Sequence, residues 1–344
     1  MRLKLKCLLL CVLVTISCAS YVIRNIVSTW SSGQHGSERN PIPNVKWPDL
    51  DPECSCRKVN PLESVPLLNR STCGQYASDR GPGQKIIAFT FYGNLNSKYF
   101  AGIASNAASI QSSYPGYVMR LYFNKNSMHR DGLNKICDLF CKHPNVDLCD
   151  VGQIQQYPHL AKKFGMIWRF TPMADPLVEE WHSRDLDSKI LQREVSAVQD
   201  WQQSQKSFHI MRDHPLHTVP ILGGMFGMKI PKKNFPQMKR IFEDILNFVE
   251  DKWFKGLDQN ALSALLWPEA QKDMVAHDSY HCHHFPSEHN RPWPTQRISG
   301  PDFSAPGEKN FVGNNDIFRT ISMKTYGECP KQCRPKNYLD WLLC

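Results

Sequence analysis

The amino-acid sequence predicts an α/β protein with a mixed, mainly parallel sheet flanked by helices. Short apolar runs rich in β-forming residues alternate with helical runs from residue 85 onward, and this alternation implies parallel strands with right-handed crossovers. The chain has 344 residues, of which 41% are hydrophobic and 11% aromatic, so it can bury a large core. Ahead of this domain, a basic start, an apolar run and a Ser- and Pro-rich stretch indicate a membrane anchor followed by a stem.

Four segments are predicted along the chain: a cytoplasmic tail at 1–6, a signal anchor at 7–23, a stem at 24–84 and a folded domain at 85–344. Basic residues before the apolar run favour a cytoplasmic N-terminus with the remainder translocated. A cleaved signal peptide is the alternative, because Ser17–Ser20 supplies small residues suited to cleavage, and the protein would then be secreted. Both interpretations place the folded domain in the secretory pathway.

The charge pattern does not favour nucleic acid as a partner. The net charge is +9, from 41 Lys and Arg against 32 Asp and Glu, and the sequence contains no basic block of five or more residues. A mildly positive surface suits a nucleotide-diphosphate ligand, and it equally suits a solvated face with no binding role.

The cysteines agree with an oxidising compartment. Ten of the 13 lie beyond the apolar run, and this even count predicts disulfides whose pairing the spacing leaves open. Zinc binding at Cys137 and Cys141, or at Cys329 and Cys333, is the alternative. The chain does not contain the pair of CxxC motifs that is typical of a zinc site. Asn69 begins an Asn-Arg-Ser sequon, which would be glycosylated in the same compartment.

The first half of the folded domain alternates between the two element types. The apolar run at 86–91 ends in a turn signal at 92–94, and the following helix of small residues stops at Pro115–Gly116. The predicted strands here are Ile86–Phe91, Tyr117–Phe123, Val146–Val151 and Leu177–Trp181, and the predicted helices are Tyr99–Ser113, Leu133–Phe140 and His159–Ala174.

The second half contains two amphipathic helices, whose apolar residues recur on one face. Gly223 and Gly224 interrupt an apolar run that is otherwise typical of a strand. The predicted strands here are Ser207–Met211, Val219–Met228 and Asp273–Tyr280, and the predicted helices are Ile190–Trp201, Phe235–Trp253 and Asp258–Trp267.

Asp185 and Asp187 directly follow the fourth predicted strand. A side-chain period of two puts both carboxylates on one side of an extended segment, and a tight turn can bring them closer. Paired carboxylates suit Mg²⁺ or Mn²⁺ when the cation also binds substrate phosphates. Alternatively, Arg184 and Asp185 form a surface ion pair and Asp187 caps the helix that contains Glu194. The position after a strand, where ligands of such sheets bind, favours the metal site.

Several different sequence blocks follow one another in a characteristic order along the domain. They are Trp168–Phe170, Arg184–Ser188, the helix with Glu194, Met211–Pro215, Leu222–Gly227 and Asp258–Gln259. In this order the chain resembles metal-dependent glycosyltransferases of the GT-A fold, which is a Rossmann-like α/β fold. The resemblance covers about residues 85–311, and the predicted anchor and stem are similar to those of Golgi glycosyltransferases. The blocks do not identify a subfamily.

The resemblance implies a cofactor, Mn²⁺ or Mg²⁺, held by Asp185 and Asp187. Asp187 would ligate the cation directly, and Asp185 would contact the cation or the ribose of the donor. The cation would act as a Lewis acid on the departing nucleotide diphosphate. Such enzymes often take a further ligand from a histidine near the C-terminus, and His277 is chosen here because it follows an apolar strand. Its rivals are His281, His283 and His284.

Further residues would bind the nucleotide part of the donor. Arg169 and Arg212 would pair with its phosphates, because a guanidinium group fits them bidentately. Each arginine has the alternative of a structural ion pair. Thr90 and Tyr92, at the end of the first strand, would lie near the nucleotide.

Another set of residues would serve the sugar and the acceptor. Asp213 or Asp258 would face the acceptor hydroxyl, as a general base if the reaction inverts the anomeric centre, whereas a retaining enzyme needs no such base. Gly223 and Gly224 would let the backbone approach the sugar, although a strand bulge explains them equally.

The resemblance thus implies a hexosyltransferase-type glycosyltransferase, a single-pass type II protein of the Golgi membrane with its catalytic domain in the lumen. It would transfer a sugar from a nucleotide-sugar donor to a glycan or glycoprotein acceptor. One alternative is a metal-dependent phosphoesterase, although such enzymes commonly carry more His and Asp ligands before the middle of the chain. Another is an inactive lumenal protein that binds sugar nucleotides or glycans.

Overall fold

A computed structural model of the protein describes residues 54, 56, 66–93, 98–285, 287–297, 311–313 and 328–344. The predicted tail and anchor, and the predicted stem up to residue 53, lie outside the described residues. Within the described ranges, no helix is both long and apolar enough to cross a membrane.

An eight-stranded mixed sheet organises the domain, as the alternation of elements predicts. The strands are β1 Gln84–Phe91, β2 Tyr117–Phe123, β3 Val146–Asp150, β4 Val178–Arg184, β5 Phe208–Arg212, β6 Met225–Lys229, β7 Met274–Asp278 and β8 Asn290–Arg291. Their order in the sheet is β3-β2-β1-β4-β6-β5-β7-β8. Strand β6 is antiparallel to β4 and β5, and the other pairings are parallel.

Helices cover both faces of this sheet, as parallel strands require. They are α1 Gln75–Asp79, α2 Lys98–Ser113, α3 Arg130–Lys142, α4 Gln192–Gln203, α5 Phe235–Val249, α6 Leu257–Ala261 and α7 Trp267–Ala270, with a π-helical turn at Leu262–Leu266 between the last two. One core contains Trp181, Phe226 and Phe242 of α5. The other contains Phe89, Phe140 of α3 and Trp201 of α4, so each face of the sheet is buried.

Three predicted elements differ from those of the structure. The helix predicted at 159–174 is replaced by 3-10 turns at Leu160–Lys162 and Gly165–Ala174, because Pro172 lacks the N–H that an α-helix needs. The strand predicted at 219–228 is a turn followed by β6. Helix α5 ends at Val249 rather than 253, since Glu250 adopts a φ of 44°, in the left-handed region.

Disulfides join all ten cysteines beyond the apolar run, as the even count predicts. The pairs are Cys54–Cys137, Cys56–Cys141, Cys73–Cys149, Cys282–Cys333 and Cys329–Cys344. The first three tie the segment before β1 to α3 and β3. Since disulfide sulfurs cannot act as thiolate ligands, the zinc alternative has no support. The pairing is consistent with a lumenal or secreted domain.

Candidate functional site

The carboxyl end of β4 lies beside the start of β6, because the two strands are antiparallel and Arg184 pairs with Met225. Asp185 directly follows β4, so it meets the turn at Gly223–Gly224 that precedes β6. A Cβ atom on Gly224 would overlap the carboxylate of Asp185. This close approach of backbone to a charged side chain explains why glycine stands at that position.

Arg169 connects two carboxylates at this edge. Its Nη1 donates to Asp185 Oδ1, and its Nη2 donates to Asp258 Oδ2 across 3.0 Å. The side chains of Arg169 and Asp258 are 1% and 4% exposed, whereas that of Asp185 is 33% exposed. A Cβ atom on Gly223 would overlap Asp258 and crowd Arg169. We call Arg169, Asp185, Gly223, Gly224 and Asp258 the β4-edge cluster; all five were predicted site residues.

The two aspartates lie in one turn that α2 holds in place. The Ser188 N–H donates to the Asp185 carbonyl across 3.2 Å, and Asp187 lies in this turn with its side chain partly buried. On α2, Asn106 Nδ2 donates to the Leu186 carbonyl across 3.2 Å, and a Cβ atom on Gly102 would overlap that carbonyl.

Gly102 and Asn106 are therefore positioning residues that the sequence analysis missed. A signal was present, because Gly and Asn are both poor helix formers and both lie inside a helix. Their partner, the Leu186 carbonyl, lies 80 residues from Asn106 in sequence, so the propensity signal could not say what they contact.

Thr90 and Tyr92 lie at the end of β1, the parallel neighbour of β4. Thr90 Oγ1 donates to the Gly165 carbonyl across 2.7 Å, and a Cβ atom on Gly165 would overlap the Tyr92 ring. Burial raises the pKa of Tyr92 to about 12; the Arg169 charge opposes this shift and the Asp258 charge adds to it. Tyr92 is thus near the β4-edge cluster and keeps its hydroxyl proton at neutral pH.

Arg212 lies elsewhere, at the end of β5. Because β6 separates β5 from β4, the two strands are about 10 Å apart. The Arg212 guanidinium pairs with buried Asp278, donates to the Pro220 carbonyl and lies 4.0 Å from the Phe285 ring. Burial lowers its pKa and Asp278 opposes that shift. These contacts are those of the structural ion pair considered as the alternative.

Asp213 is buried and ion-paired. It accepts hydrogen bonds from Arg193 and from Arg297, each at 2.9 Å, from the Ser279 hydroxyl at 2.5 Å and from the Val312 N–H at 3.0 Å. Burial raises its pKa, but Arg193 and Arg297 outweigh that effect and hold the pKa at about 2. Of the two carboxylates predicted to face an acceptor, Asp258 joins the β4-edge cluster and Asp213 does not.

His277 is separated from β4 by the intervening strands β6 and β5. It is fully buried; its Nδ1 is 2.9 Å from His209 Nε2, and its Nε2 is 3.3 Å from Asp200 Oδ2. The structure therefore does not bring His277 to the aspartates. Among the described residues, the only group of three possible ligands is Cys282, His283 and Cys333, and its two cysteines form a disulfide.

The β4-edge cluster suits a cation held by few protein ligands. It contains two carboxylates and one guanidinium, so its net charge is negative, and Asp187 lies in the adjoining turn. Asp185 is partly exposed and therefore accessible. Mg²⁺ and similar hard cations commonly bind one or two carboxylates together with substrate phosphates, without a full protein cage.

Comparison with known protein families and with curated protein sequences finds no match to this chain. An α/β sheet of this kind supports many unrelated activities, so fold alone does not assign a function. What the chain binds must be inferred from the chemistry of its site.

Proposed function

We propose that the protein is a metal-dependent glycosyltransferase that transfers a hexose from a nucleotide-sugar donor to a glycan or glycoprotein acceptor. One observation carries the proposal: the β4-edge cluster places an accessible carboxylate beside a buried guanidinium and two glycines at the carboxyl end of β4, next to that of its parallel neighbour β1. Ligands of open α/β sheets bind beyond these strand ends. The mixed, mainly parallel sheet agrees with the GT-A-like fold that we propose.

Asp185 and Asp187 would hold Mn²⁺ or Mg²⁺. When bound, the cation supplies Lewis-acid stabilisation of the charge that develops on the leaving nucleotide diphosphate. The net negative charge of the β4-edge cluster and the exposure of Asp185 support this assignment. His277 is not part of this cation site, because its two ring nitrogens face His209 and Asp200.

Arg169 would orient the site through its two carboxylate partners. It fixes one oxygen of Asp185, Oδ1, while its second bond, to Asp258, prevents the guanidinium from swinging away. Gly223 and Gly224 bring the backbone directly against Asp258 and Asp185, which supports both carboxylates in the site. Tyr92, protonated at neutral pH, offers a hydroxyl donor to the nucleotide from the neighbouring strand.

The cellular location is part of the same proposal. The disulfides support a lumenal or secreted domain, and we assign it to the lumenal side of the Golgi as a type II membrane protein. The predicted anchor on which this assignment depends is residues 7–23, which lie outside the described residues.

The decisive variant is Asp187→Ala. We expect it to abolish Mn²⁺-dependent hydrolysis of a nucleotide sugar, measured as release of nucleoside diphosphate, without changing the melting temperature. Asp131→Ala removes another carboxylate, 77% exposed and on α3, and should leave hydrolysis unchanged. Full turnover in Asp187→Ala would reject the metal assignment.

A thermal-shift screen separates the alternatives. A ligand that binds only the folded state raises the melting temperature by mass action, so nucleotide sugars with Mn²⁺ should shift the wild-type chain. Shifts with glycans alone would favour the inactive binding protein. Release of phosphate from simple phosphoesters, without any nucleotide-sugar hydrolysis, would favour the phosphoesterase.

A further inference from the structure

An exposed aromatic loop lies between α5 and α6. Residues 250–255 are all exposed, and within them Trp253 is 56% and Phe254 is 48% exposed. Glu250 and Gly256 adopt φ values of 44° and 89°, so a left-handed residue bounds the loop at each end. Large aromatic side chains left in water at the edge of a site are typical of a binding surface.

Two links join this loop to the β4-edge cluster. The first is covalent, because α6 follows the loop directly and carries Asp258 in its first turn. The second is a series of rings: Trp253 lies 5.9 Å from Phe164, centroid to centroid, and Phe164 lies 6.2 Å from Tyr92. We call Tyr92, Phe164 and Trp253 the aromatic strip.

The aromatic strip is held in place at both ends. Phe164 is only 9% exposed, so it supports the two exposed rings on either side of it. Lys163 Nζ donates to the Glu250 carbonyl across 3.0 Å and so fixes the start of the loop. At the other end, the Tyr92 ring occupies the space that a side chain at Gly165 would need. The strip thus presents two exposed rings on a supported base.

We propose that the aromatic strip binds the acceptor as a glycan of at least two sugar units, with the ring of Tyr92 against a sugar and its hydroxyl left for the nucleotide. This inference rests on the proposed function and names the substrate that the strip would deliver to the site. The C–H face of a pyranose is apolar and stacks on an aromatic ring, while its hydroxyl groups bond to polar neighbours. Because buried Phe164 separates the exposed rings, a single sugar would reach only one of them.

The composition of the loop favours a glycan over a lipid surface. Between its two bounding residues, Asp251 and Lys252 precede Trp253 and Phe254, Lys255 follows them, and all three charged residues are exposed. With Glu250, the loop carries two acidic and two basic groups, so it offers no net positive charge to an anionic membrane. Two adjacent rings flanked by hydrogen-bonding groups match the apolar faces and hydroxyl groups of an oligosaccharide.

The test uses the full chain and three disaccharides, lactose, N,N′-diacetylchitobiose and mannobiose, with binding measured by saturation-transfer NMR. We expect the wild type to bind at least one of them through its sugar C–H protons. Trp253→Leu should weaken that binding by about tenfold, whereas Trp253→Tyr, which keeps a ring, should stay within about threefold. Tyr338→Leu removes another aromatic ring, 49% exposed and outside the strip, and should have no effect.

No saturation transfer to any of the disaccharides, or equal binding by wild type and Trp253→Leu, would overturn the proposal. Binding to phosphatidylcholine vesicles by both the wild type and Trp253→Leu would also overturn the proposal, because it would show that any apolar side chain at this position is enough. If the wild type binds a disaccharide but hydrolyses no nucleotide sugar, the proposed function fails while the glycan site stands.

Discussion

Arg169 and Asp258 form a buried ion pair, with 3.0 Å between Nη2 and Oδ2, and the same guanidinium also bonds Asp185. The two carboxylates lie 89 and 16 residues from the arginine in sequence. The Arg169 guanidinium thereby joins the end of β4 to the first turn of α6. This relationship determines where both carboxylates point, so its removal should affect stability as well as activity.

Arg169→Ala should lower the free energy of unfolding by about 3 kcal/mol, because it leaves the Asp258 carboxylate buried and unpaired. Urea denaturation measures this change. The matched control is Lys272→Ala, which breaks an exposed pair with Glu269 at 2.8 Å and should cost less than about 1 kcal/mol. Equal effects of the two substitutions would show that the Arg169 pair contributes no more than a surface pair.

Gly224→Ala should reduce Mn²⁺-dependent hydrolysis by more than about tenfold, because the new methyl group displaces the Asp185 carboxylate. Steady-state release of nucleoside diphosphate measures the loss. In Gly152→Ala the nearest atom to the new Cβ lies at an ordinary 3.4 Å, so this control should keep its activity. Normal hydrolysis by Gly224→Ala would show that the position of the Asp185 carboxylate does not affect the reaction.

The Asp213 ion cluster should make the fold sensitive to acid. Arg193 and Arg297 hold the folded pKa of Asp213 near 2, below its ordinary value of 3.8. Its contribution is therefore complete above pH 4 and is lost as the pH falls from 4 to 2, a loss of about 2 kcal/mol. Guanidinium titrations across this range should show a shallower decline in Asp213→Asn, which is already destabilised at neutral pH. Parallel curves for the two proteins would contradict the prediction.

Three histidines should make the fold sensitive to milder acid. His182, His209 and His277 are at most 1% exposed, and burial lowers the pKa of each, that of His209 furthest. Since the unfolded chain binds these protons first, the stabilising contribution is complete above about pH 6.5 and declines below it. The free energy of unfolding should therefore fall between pH 7.5 and 5.5, and His209 should contribute the largest share of that fall.

His209→Leu tests this dependence by removing one of the three groups. Its free energy of unfolding should change less between pH 7.5 and 5.5 than that of the wild type. His129→Leu is the matched control, because it removes a histidine that is 80% exposed. An unchanged slope in His209→Leu would mean that His209 does not titrate differently on folding.

The order of strands and helices could be predicted because its signals are local. Alternating apolar runs and turn residues located β1 to β5 and β7 within a few residues. The misplaced elements followed local exceptions: Pro172 replaced an α-helix with 3-10 turns, and a left-handed Glu250 ended α5 early. The antiparallel direction of β6 carried no local signal, since it depends on which strands pair.

The partners of the site residues could not be predicted in this way. Asp185, Asp187, Arg169 and Asp258 were recognised by residue type, position and resemblance, but nothing near Arg169 in sequence indicates that it bonds Asp258. The same information also predicted Asp213 and His277 as site residues, and it did not distinguish them from those four. Their burial against Arg193 and Asp200 is visible only after folding.

By itself, the sequence determined the α/β class, the even set of cysteines and the position of two aspartates after a strand, because each is a property of neighbouring residues. Only the tertiary structure decided which cysteines pair, which carboxylates share Arg169 and which aromatic rings link Tyr92 to the loop at 250–256. Those relationships join groups far apart in the chain. Their stability comes from burial and mutual charge, which exist only once the sheet has assembled.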